Sequence, residues 1–130
     1  MIDRGLLIAA RVLLPSVFVG LGLERLLVFA GLLAGGPVSA GAAAFSAFEL
    51  AAGLMIMLGW QLRWVVAVLA LFIVVDAFLA HAFWTYPAEE RHGQLLHFLK
   101  NLSTLGGLLL LLWLDIRQAA GSGSKSGTAG

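Results

Sequence analysis

His97, Lys100, Asn101 and Thr104 recur at i, i+3, i+4 and i+7, so on a helix they form one polar stripe. The run that carries them is otherwise apolar from 95 to 114, and there a lone charge costs about 2.5–3.5 kcal/mol on insertion scales. The stripe must therefore face other helices or a cavity. Its imidazole, amide and hydroxyl groups suit a quinone carbonyl or the backbone of a second protein, and its ammonium calls for a carboxylate. Glu49 and Asp76 are the candidates, each in an apolar run of its own, and Lys100 is expected to pair with one of them. With Arg11, Glu24 and Arg25 the set is complete: three positive and three negative residues lie among apolar neighbours, a balance that points to internal pairing.

Each of these features also has a structural reading. Glu49, Asp76 and Lys100 fit ion pairing that fixes helix register as well as they fit ligand binding. Arg11 and Arg25 fit snorkelling toward opposite interfaces. Asp76 and His81 are five apart, about 140° around a helix, so both are not expected to point squarely inward. His81 and His97 are the right type to sandwich a haem or join a carboxylate metal site, but the chain has no Glu-x-x-His pair, and no metal is expected. With no Cys, disulfides, thiolate metal sites and covalent c-type haem are excluded. Phosphate-cradling glycine motifs, a nucleophile elbow and a dinucleotide fingerprint are also missing, so no catalytic residue is assigned. Any redox chemistry must come from a bound cofactor or a partner.

The elements that position these residues follow from composition. Of 130 residues 61% are apolar and 12% charged, about half the charge share of a soluble domain, and the mean hydropathy is +0.99. A net charge of +1 gives no face for nucleic acid. Apolar runs at 5–29, 42–60, 64–84 and 95–114 each approach the roughly 20 residues that cross a bilayer, and none alternates with period 2. The expected fold is an all-α integral membrane protein, an antiparallel four-helix transmembrane bundle. Pro15 should kink the first span, and the breaks at 33–41, 61–63 and 85–93 have turn composition. Residues 1–117 form the expected membrane domain and 118–130 a flexible cytoplasmic tail, rich in Gly and Ser from Gly121 onward. Trp60, Trp64, Trp84 and Trp113 fall at span ends, where indoles prefer the headgroup boundary.

Arg4, Arg63, Arg117 and Lys125 collect on one side, against Arg91 with Glu89 and Glu90 on the other, which predicts cytoplasmic termini. A cleavable leader is disfavoured, because the first run is too long and Glu24 and Arg25 interrupt it. In that topology Glu49, Asp76 and Lys100 lie roughly 10, 12 and 7 Å below the outer ends of their spans. The candidate site is therefore placed in the outer half of the bilayer, built from Glu49, Lys100 and Asn101 with Arg25, Asp76, His81 and His97 around it.

At these residues the chain resembles the DoxX family of small four-span membrane proteins. Gly22-Leu-Glu-Arg-Leu26 is similar to its Gly-Leu-x-Lys-Leu element, with Arg25 where Lys is usual. Phe48-Glu-Leu-Ala-Ala-Gly-Leu54 followed by Leu58-Gly-Trp-Gln-Leu-Arg63 is similar to its Glu-Leu-x-x-Gly segment and Gly-x-x-x-Arg turn. His81-Ala-Phe-Trp84 resembles its His-x-Phe-Trp element, and Phe98-Leu-Lys-Asn-Leu-Ser-Thr-Leu-Gly-Gly-Leu108 its Phe-x-Lys-Asn and Gly-Gly signature. The order holds up to about Leu112, and Asp76 matches none of these elements. The resemblance implies a prokaryotic plasma-membrane protein. Family members with a role include a subunit of a thiosulfate to quinone oxidoreductase and a component of an oxidoreductase complex in oxidative-stress defence.

The function expected is thus an accessory or anchoring subunit of a quinone-linked membrane oxidoreductase, not catalytic alone, with a quinone as candidate ligand. An oxidoreductase subunit or a second copy of the chain would be its partner within the lipid bilayer. The alternatives are a non-enzymatic scaffold or assembly protein, and a carrier of a small hydrophobic molecule.

Overall fold

The computed structural model describes residues 4–125. Its helices are α1 (Arg4–Leu13), α2 (Ser16–Phe29), α3 (Ala40–Leu58), α4 (Leu62–Leu79) and α5 (Ala88–Lys125), with a single 3-10 turn at Phe83–Thr85 between the last two. Four stretches are long and apolar enough to cross a membrane: Arg4–Phe29, Ala40–Leu58, Leu62–Thr85 and Ala88–Gly121. The all-α membrane class is as expected. Large apolar side chains point outward along them, among them Leu13, Leu58, Leu71 and Leu79, each more than two thirds exposed. That pattern suits a chain whose solvent is lipid.

The chain divides into two compact units, Met1–Val65 and Val66–Gly130. In the first, Pro15 separates α1 from α2 because it brings no N–H to the helical ladder. The Ser16 hydroxyl donates to the Leu13 carbonyl at 2.7 Å, and the Phe18 and Val19 amides turn to the Pro15 carbonyl, so the break stays satisfied without water. Ser39 caps α3 by accepting from the Ala42 amide, and Gly59 ends it at φ +73. Helices α2 and α3 run antiparallel in close contact, since Gly22 lies against Ser46 and Leu50 while Gly53 lies against Val19, Pro15 and Phe18. Small residues let two backbones approach where no hydrophobic effect drives association.

In the first unit Arg11 reaches the end of α3: its Nε donates to the Ile56 carbonyl and its Nη2 to the Met57 carbonyl, both at 3.3 Å. These carbonyls lie in the last turn of α3, where that of Ile56 also accepts from the Gly59 amide, and a cation there meets the negative end of the helix dipole. Arg11 is a C-terminal cap supplied from another helix.

In the second unit α4 and α5 run antiparallel, with Phe78 against Phe98 and Asp76 against Asn101. Two expectations change here. The 85–93 break is mostly helix, because α5 starts at Ala88 directly after Pro87 and carries Glu89 and Glu90 in its first turn, a favourable N-terminus. At the other end α5 continues past the expected limit at 114 to Lys125, so residues 118–125 of the expected tail are helical, and 126–130 lie outside the described residues. At 38 residues α5 is about 57 Å long, well beyond a hydrocarbon core of about 30 Å.

Candidate functional site

The second unit gathers five of the seven expected site residues around one carboxylate. Asp76, near the end of α4, accepts from Asn101 Nδ2 at Oδ2 over 2.8 Å. His81 Nε2 stands 3.5 Å from the same oxygen. The two were expected to diverge by 140°. They meet because α4 stops at Leu79, the chain leaves the helical path, and His81 folds back over the end of the helix. The Tyr86 hydroxyl donates to the Ala80 carbonyl and the Thr85 hydroxyl to that of Ala82, which fixes this short return.

His81 Nδ1 lies 2.8 Å from Gln94 Oε1, an atom that only accepts, so Nδ1 carries a proton. The Asp76 carboxylate faces the other ring nitrogen, Nε2, so the imidazole bridges α4 and α5. The His81 ring stacks on that of His97, centroids 5.0 Å apart and planes 21° from parallel. His97 Nδ1 is 3.5 Å from Lys100 Nζ, and accepting from an ammonium requires the tautomer whose proton is on Nε2. Among the described residues no group of three His, Asp or Glu side chains is placed to hold a metal.

The stripe is therefore divided. Asn101 is engaged with Asp76, and the Thr104 hydroxyl donates back to the Lys100 carbonyl at 2.9 Å, so the donors of both are already used within the protein. His97 and Lys100 are exposed and keep donors to spare. Beside them four rings pack edge to face: Phe78 on Phe98 at 5.4 Å, Phe83 on Trp84 at 5.1 Å, and Phe98 on both Phe83 and Trp84 at 5.5 and 5.9 Å. Phe78 and Trp84 are each about half exposed, which leaves ring surface on the outside of the cluster.

Gln94 was missed because residues up to Gly93 read as a loop. Had the helix been started at Pro87, Gln94, His97, Asn101 and Thr104 would have extended the stripe by one turn at i, i+3, i+7 and i+10.

Arg25 and Glu49 belong to the first unit. Arg25 Nη1 donates to the Ser46 hydroxyl at 3.4 Å, and Ser46 is fully buried, so Arg25 reaches inward to α3 as well as outward. Glu49 is half-buried on α3, one residue before Leu50, which packs on Gly22.

A model of the SURF4 family matches residues 3–124, nearly the whole chain. The chain belongs to the SURF4 family. The matching model is that of SURF4 and not of DoxX, and what the match and the motif resemblance share is a small membrane protein with several spans. Neither a curated protein nor a solved structure matches the chain. The short glycine-containing elements behind the resemblance serve packing in this SURF4-family chain: Gly22 and Gly53 let α2 and α3 touch, and Gly59 closes α3. Such positions are shared by any tightly packed helical membrane protein.

Proposed function

We propose that this SURF4-family protein is a non-catalytic membrane subunit that holds the carbonyl head of a quinone at the α4–α5 cluster, on behalf of an oxidoreductase partner. The observation that carries the reading is adjacency: the exposed donors His97 and Lys100 stand on the same helix as Phe98, whose ring packs with half-exposed Phe78 and Trp84. A quinone needs hydrogen-bond donors at its carbonyl oxygens and aromatic surface for its ring, and a largely apolar site with a few placed polar groups meets both needs. Asp76, Asn101, His81 and Gln94 form the support that orients the His97 ring from behind.

In a chain with Trp60, Trp64 and Trp113 replaced by Phe, a short-tailed ubiquinone should quench Trp84 fluorescence saturably. His97→Phe and Lys100→Met should each weaken that binding about tenfold, the effect of one lost hydrogen bond involving a charged or strongly polar group. Quenching that rises linearly and equally in both variants is partitioning into the detergent, and would sink the quinone reading. The scaffold reading is favoured for Arg11, whose donors end on carbonyls of its own unit.

The cluster is proposed to lie in the outer half of a prokaryotic plasma membrane, with cytoplasmic termini. A Cys introduced at Glu90 should then react with an impermeant maleimide from outside intact cells, and one at Gln61 only after permeabilisation; the reverse pattern inverts the topology.

A further inference from the structure

The first unit carries a second polar feature, remote in function from the quinone reading and independent of it. A cavity of about 280 Å³ is lined by Leu21, Glu24, Arg25 and Val28 of α2 and by the 34–38 segment that follows it. Neighbouring positions on a helix do not face each other, so Glu24 and Arg25 cannot pair efficiently although both border this space. The cavity thus presents one anion and one cation side by side, apart, with apolar walls from Leu21, Val28 and Val38. Arg25 is steadied by its bond to Ser46, which takes one nitrogen of the guanidinium and leaves other N–H donors for an oxyanion.

Depth adds a second constraint. Arg25 and Glu24 are four and five residues from the end of α2 at Phe29, about 6 and 7.5 Å at 1.5 Å per residue. For a span whose end meets the membrane surface, a polar zone about 5–7 Å deep would put both charges near the boundary between headgroups and hydrocarbon. The volume is just under the range of about 300–1,000 Å³ typical of sites for drug-sized ligands, and suits a small headgroup. Gly36 lines the same space, and an added Cβ there would meet nothing within 4 Å.

We propose that this cavity binds a zwitterion made of a phosphate and a primary ammonium, the phosphate on Arg25 and the ammonium on Glu24, in the form of a phosphatidylethanolamine headgroup whose acyl chains follow Leu21 and Val28. A primary ammonium brings N–H donors to the carboxylate, which a quaternary ammonium lacks, and a glycerol headgroup brings no cation at all.

The test is retention of lipid by the full chain in native mass spectrometry from a mild detergent. Dioleoyl phosphatidylethanolamine, phosphatidylcholine and phosphatidylglycerol are offered in equal amounts. The ethanolamine lipid should be retained about tenfold over the glycerol lipid, the worth of one charge-assisted contact. Glu24→Gln should erase that preference. Gly36→Val should cut ethanolamine-lipid retention by a similar factor with the melting temperature unchanged, which excludes misfolding as the cause of the loss. Free phosphoethanolamine that displaces the lipid makes the occupant a soluble zwitterion, and failure to displace it makes the occupant a lipid. Equal retention of the three lipids by the parent chain, or a preference that survives both Glu24→Gln and Gly36→Val, overturns the proposal.

Discussion

Gly22→Val should disrupt the first unit at temperatures where the parent protein is stable in mild detergent. A Cβ at Gly22 would lie 2.9 Å from the Ser46 carbonyl oxygen and 3.2 Å from the Leu50 amide nitrogen. Both are backbone atoms of α3, so neither can rotate away, and α2 must move off α3 as a whole. The contact of Gly53 with Val19 and the Arg25–Ser46 bond lie on the same interface and go with it. Overpacking of this kind costs about 1–3 kcal/mol or more, and in lipid or detergent little hydrophobic gain offsets lost packing. Gly20→Val is the matched control, because nothing stands within 4 Å of an added Cβ there. Thermal melts monitored by circular dichroism should show Gly22→Val lowered by several degrees and Gly20→Val near the parent. Equal melts for the two would mean that the close approach contributes nothing to stability.

The second large effect is expected at the Asp76–Asn101 pair. The Asp76 side chain is 27% exposed and takes its 2.8 Å hydrogen bond from Asn101. Asn101→Leu removes that donor while the part-buried carboxylate stays, and loss of a hydrogen bond to a charged group costs about 1.5–3 kcal/mol. Asp76→Leu alone strands the amide and also takes away the group facing His81. With both replaced by Leu neither the carboxylate nor the amide is left without the other, and only His81 Nε2 loses its neighbour, so the double variant should cost less than the sum of the two single changes. The coupling should fall within about 0.5–3 kcal/mol, as for residues in one hydrogen-bond network. Additive effects in melting experiments would falsify the view that this pair is a unit.

The membrane-crossing segments were legible because a bilayer sets their length: the runs at 5–29 and 64–84 correspond to Arg4–Phe29 and Leu62–Thr85 almost residue for residue. Pro15 announced its break for an equally local reason, the missing N–H. The start of α5 was harder, since Glu89, Glu90, Arg91 and Gly93 have the composition of a loop. Pro87 followed by two acidic residues was the overlooked sign of a helix N-terminus. The end of α4 had no such sign. Leu79-Ala80 is followed by neither Gly nor Pro for several residues, and the turn there depends on contacts made by Tyr86 and Gln94 from farther along the chain. A period-based argument extends the helix through His81 and so separates it from Asp76. The partners of Arg11 were not legible for a related reason: they are carbonyls some 45 residues later in the sequence.

That separation also bears on how the protein is made. When the first span leaves the ribosome and partitions toward lipid, Arg11 travels with it, and the Ile56 and Met57 carbonyls have yet to be synthesised. At about 5–20 residues per second the 45 residues take roughly 2–9 s. During that interval the guanidinium depends on water, headgroups or the insertion machinery for hydrogen bonds. Pairing of Arg11 with α3 consequently waits for the end of α3 to be made, and a variant that lengthens the 30–39 connection lengthens that wait.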